Sequence, residues 1–170
     1  ILVLLASTIH STALIVLPFI FLSLQKRRVF FSLVSVFAIL SIVLYERILS
    51  LISSYLPLYS NYVGTRYTTS GANILNIIPS IVLIFSVFVF NKSLFDEEGI
   101  GFFMRLLFLG TVFSFLSLYG IAFARIASYF WIASIVVVPR FLSSFHKEEK
   151  PIVYLIVMTT MIMYMTLYVS

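Results

Sequence analysis

Hydrophobic residues fall into six long runs along the chain, separated by short polar stretches. The runs cover approximately residues 1–24, 29–45, 74–90, 100–120, 126–145 and 151–169. Apolar runs of about 17 residues or more are long enough to cross the hydrocarbon core of a bilayer as α-helices. Backbone polar groups in lipid must be satisfied within the segment, which also favours helices. We therefore predict an all-α fold: a polytopic transmembrane helix bundle with about six spans.

The runs predict a single integral-membrane domain over 1–170, without internal repeats. The first run begins with Ile1 and lacks both a charged leading region and a small-residue cleavage site. We interpret it as a span cut at its start. The chain is thus expected to be a fragment, the C-terminal part of a larger multi-pass protein.

Residues 46–73 form the one long stretch that does not match a span. Its apolar part, "ILSLISSYLPLY", has 12 residues and is interrupted by Pro57. This is too short to cross a bilayer. We predict an extracytoplasmic loop that contains an interfacial or re-entrant helix.

Composition agrees with a membrane protein. Hydrophobic residues make up 62% of the chain and charged residues 10%, whereas soluble domains have about 25% charged residues. The net charge is +5, but the basic residues are scattered, which argues against nucleic-acid binding because that needs a clustered basic face. The chain has no cysteine, which excludes disulfides and cysteine-based metal sites.

The basic residues predict an orientation, because cytoplasmic loops carry an excess of Lys and Arg. Placing "QKRR" at 25–28 inside puts eight basic residues on the cytoplasmic side and three outside. The inner residues are Lys26, Arg27, Arg28, Lys92, Arg105, Arg140, Lys147 and Lys150. The outer residues are Arg47, Arg66 and Arg125.

Arg125 lies inside the apolar stretch "GIAFARIASYFWIASIVVVPR". One helix over 102–145 would be about 66 Å long, twice the thickness of the hydrocarbon core. We predict a hairpin instead, with Arg125 at the outer turn. Arg105 and Arg140 would then lie near the inner ends of spans, where we expect them to reach lipid headgroups.

The three outer arginines are candidates for binding an anionic group, because a guanidinium can bind phosphate or carboxylate with two parallel hydrogen bonds. Each also has an ordinary explanation. Arg125 could anchor the chain to lipid headgroups, Arg66 could be a solvated loop residue, and Arg47 could pair with its neighbour Glu46.

His10 and Glu46 are the candidate catalytic residues. His10 is expected in the outer third of the first span, where an ionisable side chain usually faces the bundle interior or a water-filled cavity. The alternative is a neutral histidine bonded to a neighbouring helix. Glu46 is the one acidic residue that this orientation places outside.

Three polar residues are candidates for substrate binding. Asn73 and Asn76 are spaced to share one helix face at the start of the third run, although Asn73 could simply cap that helix. Tyr129 lies one helical turn after Arg125 and could bind a sugar or belong to an interfacial aromatic belt. Trp131 is assigned to packing.

The acidic residues of the inner loops are interpreted as solvated connectors between spans. They are Asp96, Glu97, Glu98, Glu148 and Glu149. No metal-binding or nucleotide-binding motif occurs in the sequence, so we predict neither a metal site nor a cofactor. Paired carboxylates of the glycosidase kind are missing from the predicted outer face.

Three stretches resemble the EpsG family of exopolysaccharide-polymerisation proteins, which are related in role to Wzy-type polysaccharide polymerases. "ASTIHSTALIVLPFI" at 6–20 is similar to a helix of the family that carries His and Ser, and "YERILSL…YSNY" follows the next run. "ARIASYFWIASIVVVPR" at 124–140 is similar to the family's later Arg-Tyr-Phe segment. The matching positions are His10, Ser11, Arg125, Tyr129, Phe130 and Pro139, with weaker correspondence at Glu46 and Arg66.

The resemblance implies a glycosyltransferase that polymerises polysaccharide at the outer face of the bacterial cytoplasmic membrane. Its substrate would be an oligosaccharide repeat unit carried on a polyprenyl pyrophosphate, and its product an exopolysaccharide, capsule or O-antigen. The resemblance implies that Arg125, Arg66 and Arg47 bind the pyrophosphate and that His10 or Glu46 acts as the general base. It would act without a metal, in the lipid bilayer, with a chain-length regulator and a flippase as possible partners. The alternatives are a transporter of polysaccharide or lipid-linked sugar, and an O-antigen ligase or acyltransferase.

Overall fold

The computed structural model describes residues 16–55, 71–72, 74, 77–145, 148 and 150–169. These residues form eight α-helices and contain no strand, which confirms the predicted all-α fold. The helices are α1 (Val16–Ser23), α2 (Arg27–Val43), α3 (Tyr45–Tyr55), α4 (Ile78–Asn91), α5 (Ile100–Leu116), α6 (Ala122–Trp131), α7 (Ser134–Ser143) and α8 (Lys150–Val169). A 3₁₀ turn over Lys92–Phe95 follows α4.

Helix α5 lies at the centre of the bundle and packs against α1, α2, α4, α6 and α7, while α8 packs on α4 and α7. The bundle has two ends, which we name by their residues. The charged end holds Arg27, Asp96, Glu97, Arg105 and Arg140. The turn end holds Tyr45, Gly71, Ala72, the turn at 117–121 and the first turn of α6.

Two clusters of buried apolar side chains fill the bundle, one nearer each end. The cluster nearer the charged end consists of Leu83, Ile84, Val87, Leu94, Phe95, Met104, Leu107, Ala133, Val137 and Phe141. The other consists of Val16, Phe30, Val34, Leu109, Phe113, Leu116, Ala127 and Phe130. The Phe113 ring stacks on that of Phe130, with centroids 5.5 Å apart.

The predicted hairpin is present between α5 and α6, but its turn lies earlier than expected. Helix α5 ends at Leu116, and Leu118 and Tyr119 form turn hydrogen bonds to Phe115 and Leu116. A Cβ added at Gly110 would lie 3.1 Å from the Phe130 Cβ, so this glycine lets the two helices approach closely. The prediction that Arg125 lies at the turn is wrong, because the helix has already resumed at Ala122.

The fifth apolar run is divided between two helices. Helices α6 and α7 are bent by 50° at a short break. There, the Ala133 N–H donates to the Phe130 carbonyl at 3.0 Å. This bond joins residues three apart, as in a 3₁₀ turn, instead of four apart as in an α-helix. Apolar character runs through this break, so hydrophobic pattern alone did not reveal it.

Among the described residues, no single helix is both long and apolar enough to cross a bilayer, whereas α6 and α7 taken together could do so by length and composition. The six predicted spans and their bounds therefore stay a prediction.

Candidate functional site

The turn end is held together by close backbone contacts. The Ala72 N–H donates to the Ser117 carbonyl at 2.7 Å. A Cβ added at Gly71 would overlap the backbone carbonyl of Leu118. Gly71 and Ala72 therefore lie directly against the turn between α5 and α6, and glycine is required at position 71 for steric reasons.

An aromatic contact brings the start of α3 to the first turn of α6. The rings of Tyr45 and Phe123 have centroids 5.8 Å apart, and Phe123 also contacts the buried Phe113 at 6.1 Å. Glu46 and Arg47 follow Tyr45 and are both exposed. Two of the predicted site residues thus begin a helix that contacts the helix of Arg125.

Arg125 lies on the side of α6 that faces away from the core. The buried face of α6 carries Ala127 and Phe130, which belong to the apolar cluster with α5. Arg125 is exposed, and Tyr129, one turn later on the same face, is half-buried. The guanidinium can therefore meet a ligand at the surface while the helix beneath it is fixed by packing.

Four of the predicted site residues lie on the described elements at the turn end: Glu46, Arg47, Arg125 and Tyr129. The others, His10, Arg66, Asn73 and Asn76, lie outside the described residues. The catalytic, pyrophosphate-binding and substrate-binding roles of all eight stay predictions.

The charged end contains two ion pairs that the sequence did not reveal. An Arg27 Nη atom lies 2.6 Å from an Asp96 carboxylate oxygen, and an Arg140 Nη atom lies 2.6 Å from a Glu97 carboxylate oxygen. The loop before α5 is thereby tied to α2 and α7. Asp96 and Glu97 are more than solvated connectors, and Arg140 pairs with a carboxylate within the protein instead of only reaching towards headgroups.

The prediction that Arg105 reaches lipid headgroups is wrong. Its Nε–H donates to the Ser23 carbonyl at 2.6 Å and one Nη–H donates to the Phe95 carbonyl at 3.1 Å. Both carbonyls end helical segments, where backbone acceptors lack partners within the helix. Arg105 therefore joins α1 to the 3₁₀ turn, and it does not extend to lipid headgroups as expected.

A small buried polar contact joins three helices between the two ends. The Ser114 hydroxyl donates to the Gly110 carbonyl at 2.8 Å and lies 3.3 Å from the Ser80 hydroxyl of α4. The Trp131 indole N–H approaches the same Ser114 oxygen at 3.5 Å. Trp131 thus packs against the core, as predicted, and also has a polar contact that its apolar surroundings did not indicate.

In the part of the chain that the structure describes, no three His, Cys, Asp or Glu side chains come together in an arrangement that could hold a metal ion.

Comparison with known proteins identifies the family. The model of the EpsG family matches residues 1–170, and the chain therefore belongs to this family. The family is associated with membranes and with polysaccharide polymerisation. Neither the curated proteins nor the solved structures include a significant match to the chain.

Proposed function

We propose that this member of the EpsG family joins polyprenyl-pyrophosphate-linked oligosaccharide repeat units into a polysaccharide at the outer face of the bacterial cytoplasmic membrane. The family match over the whole chain is the observation that carries the proposal. The products in view are an exopolysaccharide, a capsule or an O-antigen. The proposal includes the multi-pass topology, with the turn end outside and the charged end inside.

The turn end suits a substrate whose leaving group is an anion at membrane level. Arg125 is exposed on a helix that is fixed to α5 by a close contact at Gly110. A guanidinium in that position can stabilise the negative charge that develops on a departing pyrophosphate. Arg47 and Arg66 would add to the positive potential. Tyr129, Asn73 and Asn76 would hold the sugar by hydrogen bonds.

The proposed step is a displacement at the anomeric carbon of the lipid-linked sugar. A hydroxyl oxygen of the acceptor sugar forms a bond to that carbon, and the bond from the carbon to the pyrophosphate oxygen breaks. The electron pair leaves with the pyrophosphate, and the hydroxyl proton passes to a general base, for which Glu46 and His10 are the candidates. Arginine side chains supply the charge stabilisation in this scheme.

Reconstitution tests the proposal directly. The full protein in proteoliposomes would be supplied with polyprenyl-pyrophosphate-linked repeat units, and products would be separated by length. We expect a ladder of polymers and the release of one polyprenyl pyrophosphate for each unit joined. If well-folded protein forms no product longer than the supplied units, the polymerase proposal is refuted.

One observation favours a second candidate, a transporter of lipid-linked sugar. Transporters often contain discontinuous helices, and α6 and α7 form a helix pair bent by 50°. In the same proteoliposomes, a transporter would move labelled lipid-linked sugar between leaflets without lengthening it. The two functions are therefore separated by product length and by leaflet accessibility.

A further inference from the structure

The Ser114 hydroxyl, buried in the middle of the bundle, uses all of its hydrogen-bonding capacity. A serine hydroxyl has one hydrogen to donate and two lone pairs that accept. Its hydrogen goes to the Gly110 carbonyl at 2.8 Å, and its oxygen accepts from the Ser80 hydroxyl at 3.3 Å and from the Trp131 indole N–H at 3.5 Å. Ser80 is 0% exposed and Ser114 is 7% exposed, so bulk water has little access to these bonds.

The oxygen of Ser114 gives the indole of Trp131 an acceptor within apolar surroundings. The indole packs against both apolar clusters. Its N–H can only donate, and such a group usually has a hydrogen-bond partner when it is buried. Apolar packing has no preferred direction, whereas a hydrogen bond weakens steeply when its angle departs from linear. The contact with Ser114 therefore orients the indole as well as holding it against α5.

Trp131 is the last residue of α6, so this contact acts at the point where the helix ends. Beyond it the chain bends by 50° into α7. Helix α7 therefore constrains the rotation of α6 about its axis less than a straight continuation of the helix would. The close approach of Phe130 to Gly110 sets the separation of α6 from α5. The bond from Trp131 to Ser114 adds a directional tie that sets the rotation.

The rotation of α6 determines where Arg125 points. Arg125 lies on the same helix, six residues before Trp131, and α6 has 10 residues, so a rotation at its end carries through the whole element. At a radius of about 5–6 Å from the helix axis, a rotation of about 10° moves a side-chain group by about 1 Å. A displacement of that size at a reacting centre can lower a rate by roughly 100-fold.

We propose that Ser114 is a positioning residue for Arg125. By accepting a hydrogen bond from Trp131, it sets the rotation of α6 and so directs the guanidinium towards the pyrophosphate. The expected effect on rate rests on the proposed function, whereas the effect on the position of residue 125 does not. Ser114 itself would touch neither the sugar nor the pyrophosphate.

Ser114→Ala removes the acceptor, and Thr111→Val is its matched control. Thr111 is also a buried hydroxyl of α5, 5% exposed, and donates to the Leu107 carbonyl of the same helix at 3.2 Å. In reconstituted polymerisation, kcat for Ser114→Ala should fall roughly 10- to 100-fold while KM stays nearly unchanged, because Arg125 acts on charge that develops during the reaction. Thr111→Val should keep the wild-type kcat.

Trp131→Phe removes the donor of the same contact and also serves if Ser114→Ala does not fold. It should lower kcat to a similar extent, and the double variant should be no slower than the slower single variant. Multiplied losses in the double variant would show that the two residues act separately and would overturn the proposal. An equal loss in Thr111→Val, or a normal kcat in folded Ser114→Ala, would reduce Ser114 to a structural residue.

A distance measurement tests the positioning without polymer formation. The chain has no cysteine, so nitroxide labels can be attached at Arg125→Cys and at Phe21→Cys, where the native residue is 65% exposed on α1. Double electron–electron resonance should show that Ser114→Ala shifts or broadens the distance distribution by about 1 Å, whereas Thr111→Val leaves it unchanged. An unchanged distribution in Ser114→Ala would overturn the positioning role. Absence of polymer from the wild type would count against the proposed function alone.

Discussion

The two ends of the bundle use arginine in different ways. At the charged end, Arg27, Arg105 and Arg140 are tied to carboxylates or backbone carbonyls of other segments, at distances of 2.6 to 3.1 Å. At the turn end, Arg47 and Arg125 are exposed on helices whose positions are fixed by glycine contacts and aromatic packing. Arginine side chains join segments of the protein at the charged end and are exposed at the turn end, where the proposed function places the substrate.

This difference teaches that the position of a charge along an apolar chain does not reveal its role. Arg105 and Arg125 each lie among hydrophobic residues, 20 positions apart in the sequence. What separates them is burial: Arg105 is partly buried where two helical segments end, whereas Arg125 is exposed on α6. At the charged end, the ends of a helix and a turn offer carbonyls that have no partner within the helix. Variants that exchange or remove single groups can test the comparison.

The largest effect is expected for Arg125→Lys, on activity. A lysine ammonium cannot reproduce the two parallel hydrogen bonds of a guanidinium to phosphate. If Arg125 stabilises the departing pyrophosphate, the rate of polymerisation should fall roughly 30- to 1000-fold, or by about 2–4 kcal/mol in the transition state. Polymer yield and length in the reconstituted system measure this.

Arg28→Lys is the matched control for that experiment, because Arg28 is an exposed arginine next to the charged end. It should polymerise at the wild-type rate. Normal polymerisation by Arg125→Lys at normal protein level would remove Arg125 from the active site. It would then leave the lipid-anchor interpretation, because lysine also reaches headgroups.

The next effect is on stability, for Arg105→Met at the charged end. Methionine keeps much of the aliphatic volume but removes the donors to the Ser23 and Phe95 carbonyls. Hydrogen bonds from charged groups contribute about 1.5–3 kcal/mol, so we expect the free energy of unfolding to fall by that amount. Unfolding by denaturant in mild detergent measures it.

Arg28→Met tests the specificity of that loss and should change the free energy of unfolding by less than about 0.5 kcal/mol, as exposed substitutions usually do. A loss at Arg105 no larger than the loss at Arg28 would mean that the two carbonyl contacts do not stabilise the bundle. The proposed division of roles between the two ends would then collapse.

Two glycines, one near each end, allow a comparison of steric and conformational causes of destabilisation when glycine is replaced. A Cβ at Gly71 would overlap the Leu118 carbonyl, whereas a Cβ at Gly99 would meet nothing within 4 Å but would require φ of +79°. Gly71→Ala should destabilise the fold by about 1–3 kcal/mol through overpacking, and Gly99→Ala by about 1–2 kcal/mol through left-handed strain.

Asparagine separates the two causes, because it tolerates the left-handed region better than alanine but is larger. Thermal unfolding should show that Gly99→Asn is milder than Gly99→Ala, while Gly71→Asn is no milder than Gly71→Ala. The reverse order at Gly71 would show that Gly71 is not held against the Leu118 carbonyl.

Much of the helical framework could be predicted from hydrophobic runs. The runs at 29–45, 74–90, 100–120 and 151–169 correspond within a few residues to α2, α4, α5 and α8. Length alone predicted the hairpin between α5 and α6. The break at Ile132 and Ala133 could not be predicted, because apolar residues continue through it without a change of pattern.

The contacts of the charged end could not be predicted for a different reason. Arg27 and Asp96 are separated by 69 residues, and Arg140 and Glu97 by 43. A single sequence carries no information about which distant charges meet. At the turn end, sequence reasoning selected Glu46, Arg47, Arg125 and Tyr129, and packing of α3 against α6 at Tyr45 and Phe123 brings their helices into contact.

The smallest effect is expected for the ion pair between Arg27 and Asp96. Although the atoms are 2.6 Å apart, the side chains are 34% and 56% exposed. Water screens such a pair, and exposed ion pairs contribute about 0.2–1 kcal/mol. Arg27 also lies about 6 Å from the centres of the Phe31 and Phe95 rings, so Arg27→Met loses a cation–π contact that Asp96→Asn keeps.

A double-mutant cycle on Arg27→Met and Asp96→Asn isolates the pair from that aromatic contact. We expect a coupling energy below about 1 kcal/mol that shrinks further when salt is raised, because surface charges are screened. The same cycle on Arg140 and Glu97 should give a similar value. A coupling above about 2 kcal/mol that persists in high salt would mean that carboxylates, rather than the carbonyls bound by Arg105, hold the charged end together.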